Sequence, residues 1–176
     1  MEREIIEVFK ESFENVLNEV ADIGIKKIEV SSIKPDKLIK TGFIIVISII
    51  GDKSGEVLFE INNETAMNLI QKMSTNKNIN NILKEEDNYS LILEFLNILL
   101  GRVITNLLEN YGVELNISNP ILIISNSMEI RTFRKESLYL IFETTIGQIG
   151  ILISLVDINT QIKTNEKFLN DDFLNF

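Results

Sequence analysis

The chain contains no cysteine and no histidine. Disulfides, thiol nucleophiles, Ser-His-Asp triads and the usual zinc sites are therefore excluded. Any catalysis must rest on carboxylates, amides, hydroxyls, Lys, Arg or a borrowed metal. An excess of positive charge is lacking too. Asp and Glu number 26 against 17 Lys and Arg, a net charge of −9, which speaks against nucleic acid or an anionic membrane as partner. No Gly-rich phosphate loop of the Walker type occurs. Met1 to Lys10 alternate charge and bulk, so no signal peptide is expected. The most apolar stretch, Leu91 to Leu108, carries Glu94, Asn97, Arg102 and Asn106. That polarity argues for a buried amphipathic helix and against a membrane span, and a cytoplasmic location is expected.

What is present suits one soluble α+β domain. The 176 residues are 45% hydrophobic and 24% charged, enough for a real core. Ile5, Phe9, Phe13, Val16 and Val20 recur at helical spacing, which predicts a helix over 2–21 with Gly24 as its stop. Strands are expected at 26–33 and 41–50, a turn at 51–55 (GDKSG) and a returning strand at 56–61, making 41–61 a hairpin. Asn62 or Asn63 caps a helix over 63–74. The polar run 75–89 reads as an exposed linker, followed by a long helix over 87–111 that ends at Gly112. Strands are expected near 113–124, 137–145 and 149–156, and 157–176 reads as a polar tail. Each half thus reads helix, strand, strand, turn, strand. Aligning Gly24 with Gly112 sets Ile6 opposite Glu94 and Phe9 opposite Asn97. The similarity is either chance or a duplication.

The second long helix carries the one constellation that suggests chemistry: Ser90, Glu94, Asn97 and Gly101. At ~100° per residue the four fall within about 60° of each other, with Thr105 just beyond. Leu91, Ile92, Leu93, Phe95, Leu96, Ile98, Leu99, Leu100, Val103 and Leu107 occupy the other faces. One reading is the ordinary solvent face of an amphipathic helix. Against it, the stripe is poor in Lys and Glu, and it holds a Gly that costs ~1 kcal/mol in mid-helix. A glycine there gains nothing for the fold but lets another surface approach closely. The glycines of the expected hairpins read as turns. Lys26-Lys27, Arg131 to Lys135, Asp171 and Asp172 read as solvated surface or tail.

At these residues the sequence resembles the CheX, CheC and FliY group of chemotaxis phosphatases. The group's signature is an Asp or Ser, three residues, Glu, two residues, Asn, often with Gly four residues later. Here it reads SLILEFLNILLG, with Ser90, Glu94, Asn97 and Gly101 in register. IIGDKSGEVLFEINNETAMNLIQKM resembles the group's hairpin and following helix, ISNPILIISNSMEI its strand after the catalytic helix, and FETTIGQIGILISL its final hairpin. The resemblance covers about 1–156, leaving 157–176 as an appended tail. CheC carries two copies of the motif and CheX one; with Ile6 and Phe9 set opposite Glu94 and Asn97, this chain resembles CheX. It departs in its tail and in the bulky Phe95-Leu96 pair between Glu94 and Asn97.

The resemblance implies a CheC-like fold, two helix-strand-strand-strand halves forming a sheet packed on two long helices. It implies hydrolysis of the aspartyl phosphate of a CheY-type response regulator. Asn97 would enter the partner's active site and orient the attacking water. Glu94 would pair with the partner's active-site Lys or act as a general base. Ser90 would touch the partner's rim or satisfy backbone, and Gly101 would let the partner approach. No cofactor of its own is implied, since the Mg²⁺ and the phosphorylated Asp belong to the regulator. A homodimer is implied as well. The alternative is a non-catalytic adaptor of the flagellar-switch type that docks a response regulator without dephosphorylating it.

Overall fold

The computed structural model describes residues 2–33, 38–76, 85–130 and 137–157. Arg131 to Lys135 and the tail beyond Asp157 lie outside them. The elements run α1 (Glu2–Ala21), β1 (Ile25–Ile33), β2 (Leu38–Gly51), β3 (Lys53–Ile61), α2 (Asn63–Asn76), α3 (Glu85–Tyr111), β4 (Leu115–Ile117), β5 (Ile121–Ile130), β6 (Ser137–Thr144) and β7 (Gly147–Asp157). Their order is that of the expected α+β fold.

The strands form one antiparallel sheet in the order β1-β6-β7-β3-β2. β4 and β5 lie end to end along the far side of β2, β4 against Ile49–Gly51 and β5 against Leu38–Val46. The sequence is expected to hold one strand here. Ser118, Asn119 and Pro120 break it, and Ser118 ties the break to the backbone of Ser48 at 2.9 and 3.0 Å. Exchanging β1 with β4/β5, β2 with β6, and β3 with β7 leaves the strand order unchanged. The two halves are therefore related by an approximate twofold axis that passes between β3 and β7, where Val57 faces Ile153.

One face of the sheet is apolar because strand side chains alternate. Phe43, Ile45, Ile47, Val57, Phe59 and Ile61 join Leu140, Phe142, Ile149 and Ile151 in a single core with the three helices. Phe13 sits at its centre, its ring 4.0 Å from Phe142 and 6.0 Å from Phe95. The opposite face holds a smaller cluster of Ile44, Leu58, Tyr139 and Leu152. There the Tyr139 hydroxyl donates to the Glu60 carboxylate. Burial first, and this bond second, push the phenol well above its ordinary pKa. Gly150 makes room for the pair, since a Cβ there would stand 2.6 Å from Glu60 Cγ and 2.7 Å from Tyr139 Oη.

Gly150 is thus a strand residue, not part of a turn, and so is Gly55, opposite Leu155 in the β3–β7 ladder. Of the expected five-residue turn at 51–55, only Asp52 lies between the strands β2 and β3. Asp52 donates its backbone N–H to Glu114 O at 2.9 Å and accepts the Glu114 N–H at 2.8 Å. Asn62 caps α2, its Oδ1 2.8 Å from Thr65 N. Of the expected linker 75–89, the described ends belong to helices, residues 75–76 to α2 and 85–89 to α3.

The ends of α1 and α3 decide how the halves align. Asp22 N–H bonds Asn18 O and Ile23 N–H bonds Leu17 O; Gly112 N–H bonds Leu108 O and Val113 N–H bonds Leu107 O. Asp22 and Gly112 are both left-handed, at φ 52 and 65, the conformation that stops a helix by satisfying its last carbonyls. Asp22, not Gly24, is the counterpart of Gly112. This register replaces the one expected from the glycines. It sets Glu4, not Ile6, opposite Glu94, and Glu7, not Phe9, opposite Asn97.

Candidate active site on helix α3

α3 is the central helix. Ile92, Phe95, Leu96, Leu99, Leu100, Val103 and Leu107 are each no more than 2% exposed. The segment Tyr89–Tyr111 is long and apolar enough to cross a membrane, but these side chains fill the domain core. Because the helix is enclosed on most sides, the residues it leaves in solvent form a narrow line. Ser90, Glu94, Asn97 and Gly101 are all exposed and share that line. The four residues singled out in the sequence are therefore brought together as expected. Thr105 extends them, its hydroxyl bonded back to Gly101 O at 2.9 Å.

The Phe95-Leu96 pair leaves the stripe clear. Phe95 is fully buried against Phe13 and Phe59, and Leu96 is 1% exposed. Bulk between Glu94 and Asn97 thus anchors the helix without shielding either polar group. A Cβ added at Gly101 would meet nothing within 4 Å. The fold does not require glycine here, and the space above the helix is open.

Two contacts fix α3 against α1. Arg102 grips the Glu19 carboxylate with both terminal nitrogens, at 2.9 and 2.7 Å, a bidentate pair. The bond holds the Glu19 carboxyl below its ordinary pKa and raises that of Arg102. Asn106 Nδ2 donates to the buried Ser12 Oγ at 3.2 Å. Asn97 differs from Asn106: among the described residues nothing hydrogen-bonds its amide. Glu94 and Asn97 stand one turn apart and both are exposed, so both can address a single group on another molecule.

Sequence reasoning missed the far end of the stripe. Leu108 and Tyr111 are 49% and 48% exposed. The signal was available, because Leu108 follows Ser90 by five full turns of ~3.6 residues and so lies on the same line. Among the described residues no group of three or more acidic side chains is placed to hold a metal ion.

A protein-family profile, chemotaxis phosphatase CheX, matches residues 43–143. No curated protein matches the sequence. Solved structures share the fold. A CheX from Desulfovibrio desulfuricans superimposes with a TM-score of 0.75 at 20% identity, covering 87% of this chain and 99% of its own. A CheC-like protein from a Shewanella species gives 0.71 at 22% identity, covering 89% and 99%. CheX of Borrelia burgdorferi, solved as a complex with CheY, BeF3 and Mg²⁺, gives 0.66 at 19% identity, covering 86% and 97%.

Proposed function

The chain belongs to the CheX family of chemotaxis phosphatases, and on that premise we propose that it hydrolyses the aspartyl phosphate of a CheY-type response regulator. The observation that carries the reading is the exposure of Glu94 and Asn97, one turn apart, on a helix whose other faces pack largely into the core. The Borrelia burgdorferi complex supports the class of partner.

In the reaction, water attacks phosphorus as the bond to the aspartyl oxygen breaks, leaving a carboxylate, inorganic phosphate and one proton. Such transfers depend on positioning and charge management. Asn97 orients the water. An amide both donates and accepts, and it brings no negative charge to the phosphoryl oxygens. Glu94 pairs with the active-site Lys of the regulator and fixes the docking. Ser90 and Gly101 lie under the partner's surface. The regulator carries the Mg²⁺ and the phosphorylated Asp, and the chain acts in the cytoplasm without a cofactor of its own. We also propose a homodimer formed through a sheet edge, since β1 on one side and β4/β5 on the other end the sheet among the described residues.

Single-turnover loss of phosphate from a phosphorylated CheY-type regulator tests the assignment. Asn97→Ala should slow the reaction about 100-fold or more, while binding to the regulator loaded with beryllofluoride stays within a few fold. Glu94→Ala should weaken both binding and rate. Near wild-type turnover by Asn97→Ala would sink the mechanism and favour a docking adaptor.

A further inference from the structure

The polar stripe is too small to hold a partner. A specific interface covers roughly 800 Å² on each side, a patch about 30 Å across, and its affinity rests on a few apolar or aromatic anchors near its middle. Ser90, Glu94, Asn97 and Gly101 supply chemistry and close approach but almost no apolar area. The described helices expose three large apolar side chains, Met67 on α2 and Leu108 and Tyr111 on α3. Two of the three stand at the C-terminal end of the helix that bears the stripe.

Their placement is specific. From Ser90 to Leu108 the helix advances about 27 Å at ~1.5 Å per residue, the width of one interface. Leu108 lies on the line of Ser90, and Tyr111, at about 100° per residue, lies roughly 60° to one side. Tyr111 lines a cavity of about 150 Å³ together with Glu4, Ile5, Leu107 and Val113. A cavity of that size, apolar apart from Glu4, accepts a ring or a branched aliphatic side chain. Of its lining, Ile5, Leu107 and Val113 are buried at 4%, 1% and 8%, Glu4 is half-buried and Tyr111 is exposed.

We infer that Leu108, Tyr111 and the cavity that Tyr111 lines form the apolar anchor for the same response regulator that Glu94 and Asn97 address. The inference rests on the phosphatase reading. It assigns affinity to one end of α3 and chemistry to the middle. The occupant follows from continuity. A partner seated on Asn97 and Gly101 that covers a standard area reaches Leu108, only two turns beyond Gly101, and a second copy of this chain bound there would obstruct it. The regulator should therefore present an apolar side chain beside its active-site rim. Glu109 stands exposed next to Leu108 and favours basic groups around that side chain.

The test uses Leu108→Asp, Leu108→Ala and Tyr111→Ala in the full chain, with Leu108→Met as the conservative control. Each is titrated against a CheY-type receiver domain loaded with beryllofluoride and Mg²⁺, and each is assayed for turnover of the phosphorylated domain. Leu108→Asp should weaken binding and raise KM at least 10-fold with kcat within twofold; Tyr111→Ala should do so less; Leu108→Met should restore both. Asn97→Ala shows the opposite split, so the two ideas fail separately. Unchanged affinity and KM in folded Leu108→Asp and Leu108→Ala overturns the anchor and leaves the catalytic reading intact. Lost affinity with no wild-type turnover supports the anchor and overturns the phosphatase. A changed molecular mass with unchanged affinity assigns the patch to a second copy and overturns the inference.

Discussion

α1 and α3 occupy matching places in the two halves of the molecule, and they end alike, on a left-handed residue whose N–H returns to the carbonyl four residues back. Their buried sides also correspond, Ile5 with Phe95, Phe9 with Leu99, Phe13 with Val103 and Leu17 with Leu107, all no more than 4% exposed. They part on the solvent side. α1 presents Glu7 and Glu11, with Lys10 paired to Glu7 at 2.9 Å; at the matching positions α3 presents Asn97 and Gly101. The first set is ordinary helix surface. The second replaces good helix formers with an amide and a residue that lacks a side chain, a choice that folding alone does not favour. One scaffold used twice lets the two surfaces be compared position by position: Glu94 has a matching Glu4, whereas Asn97 and Gly101 depart from Glu7 and Glu11.

The comparison can be broken most forcefully from beneath. Phe95→Ala, which removes a ring packed on Phe13 and Phe59, should cost about 3–5 kcal/mol, and its counterpart Ile5→Ala, beside the existing cavity, about 2. Urea unfolding measures both, and equal losses would deny α3 its central place. Next, the two surfaces can be exchanged. Asn97→Glu gives α3 the acidic surface of α1 and should lower single-turnover dephosphorylation about 100-fold or more. Glu7→Asn gives α1 an amide and should leave the rate within twofold, since Glu11 still stands where close approach would need Gly.

Smaller effects sharpen the match between the helix ends. Gly112→Ala forces a β-carbon into a left-handed position and should destabilise by about 1 kcal/mol, whereas Asp22→Gly should stabilise by up to about 1 kcal/mol. A loss on Asp22→Gly in thermal melts would mean that its side chain does something the cap does not explain. Least is expected from the tie between the helices. Glu19 has a lowered pKa in the folded chain, so its contribution is present above the ordinary carboxylate pKa and disappears as pH falls through the lowered value. The stability difference between wild type and Arg102→Ala should therefore be largest near neutral pH and close in acid. A difference that persists at low pH would assign the contact to packing.

Much of this was readable in the sequence because it depends on neighbours along the chain. Helical spacing located α1 and α3, the apolar residues around α3 were expected in the core, and the stripe follows from geometry alone. What was not readable depends on partners far away. Gly55 and Gly150 look like turn residues until β3 and β7 are seen side by side, where a Cβ at either would strike the opposite strand. The register of the two halves was misjudged because glycine marks a left-handed position only by tendency, and α1 places Asp22 there. The bond from Tyr139 to Glu60 joins residues 79 apart in sequence. Leu108 and Tyr111 were not singled out, since sequence does not say where a neighbouring helix stops covering α3.

The strand order has a further consequence for how the chain acquires its shape. Among the described residues only β2–β3 and β6–β7 are hairpins; β1 pairs with β6, β3 with β7, and β2 with β4 and β5. Each half therefore leaves its first strand without a neighbour until the other half arrives. Large loops must close before those contacts form, which places folding toward the slow, millisecond-to-second end of the range for small domains. It also means that α1 with β1–β3 is not a unit that stands alone. A chain cut between α2 and α3 should yield two fragments that are unstructured apart and regain the sheet only when mixed.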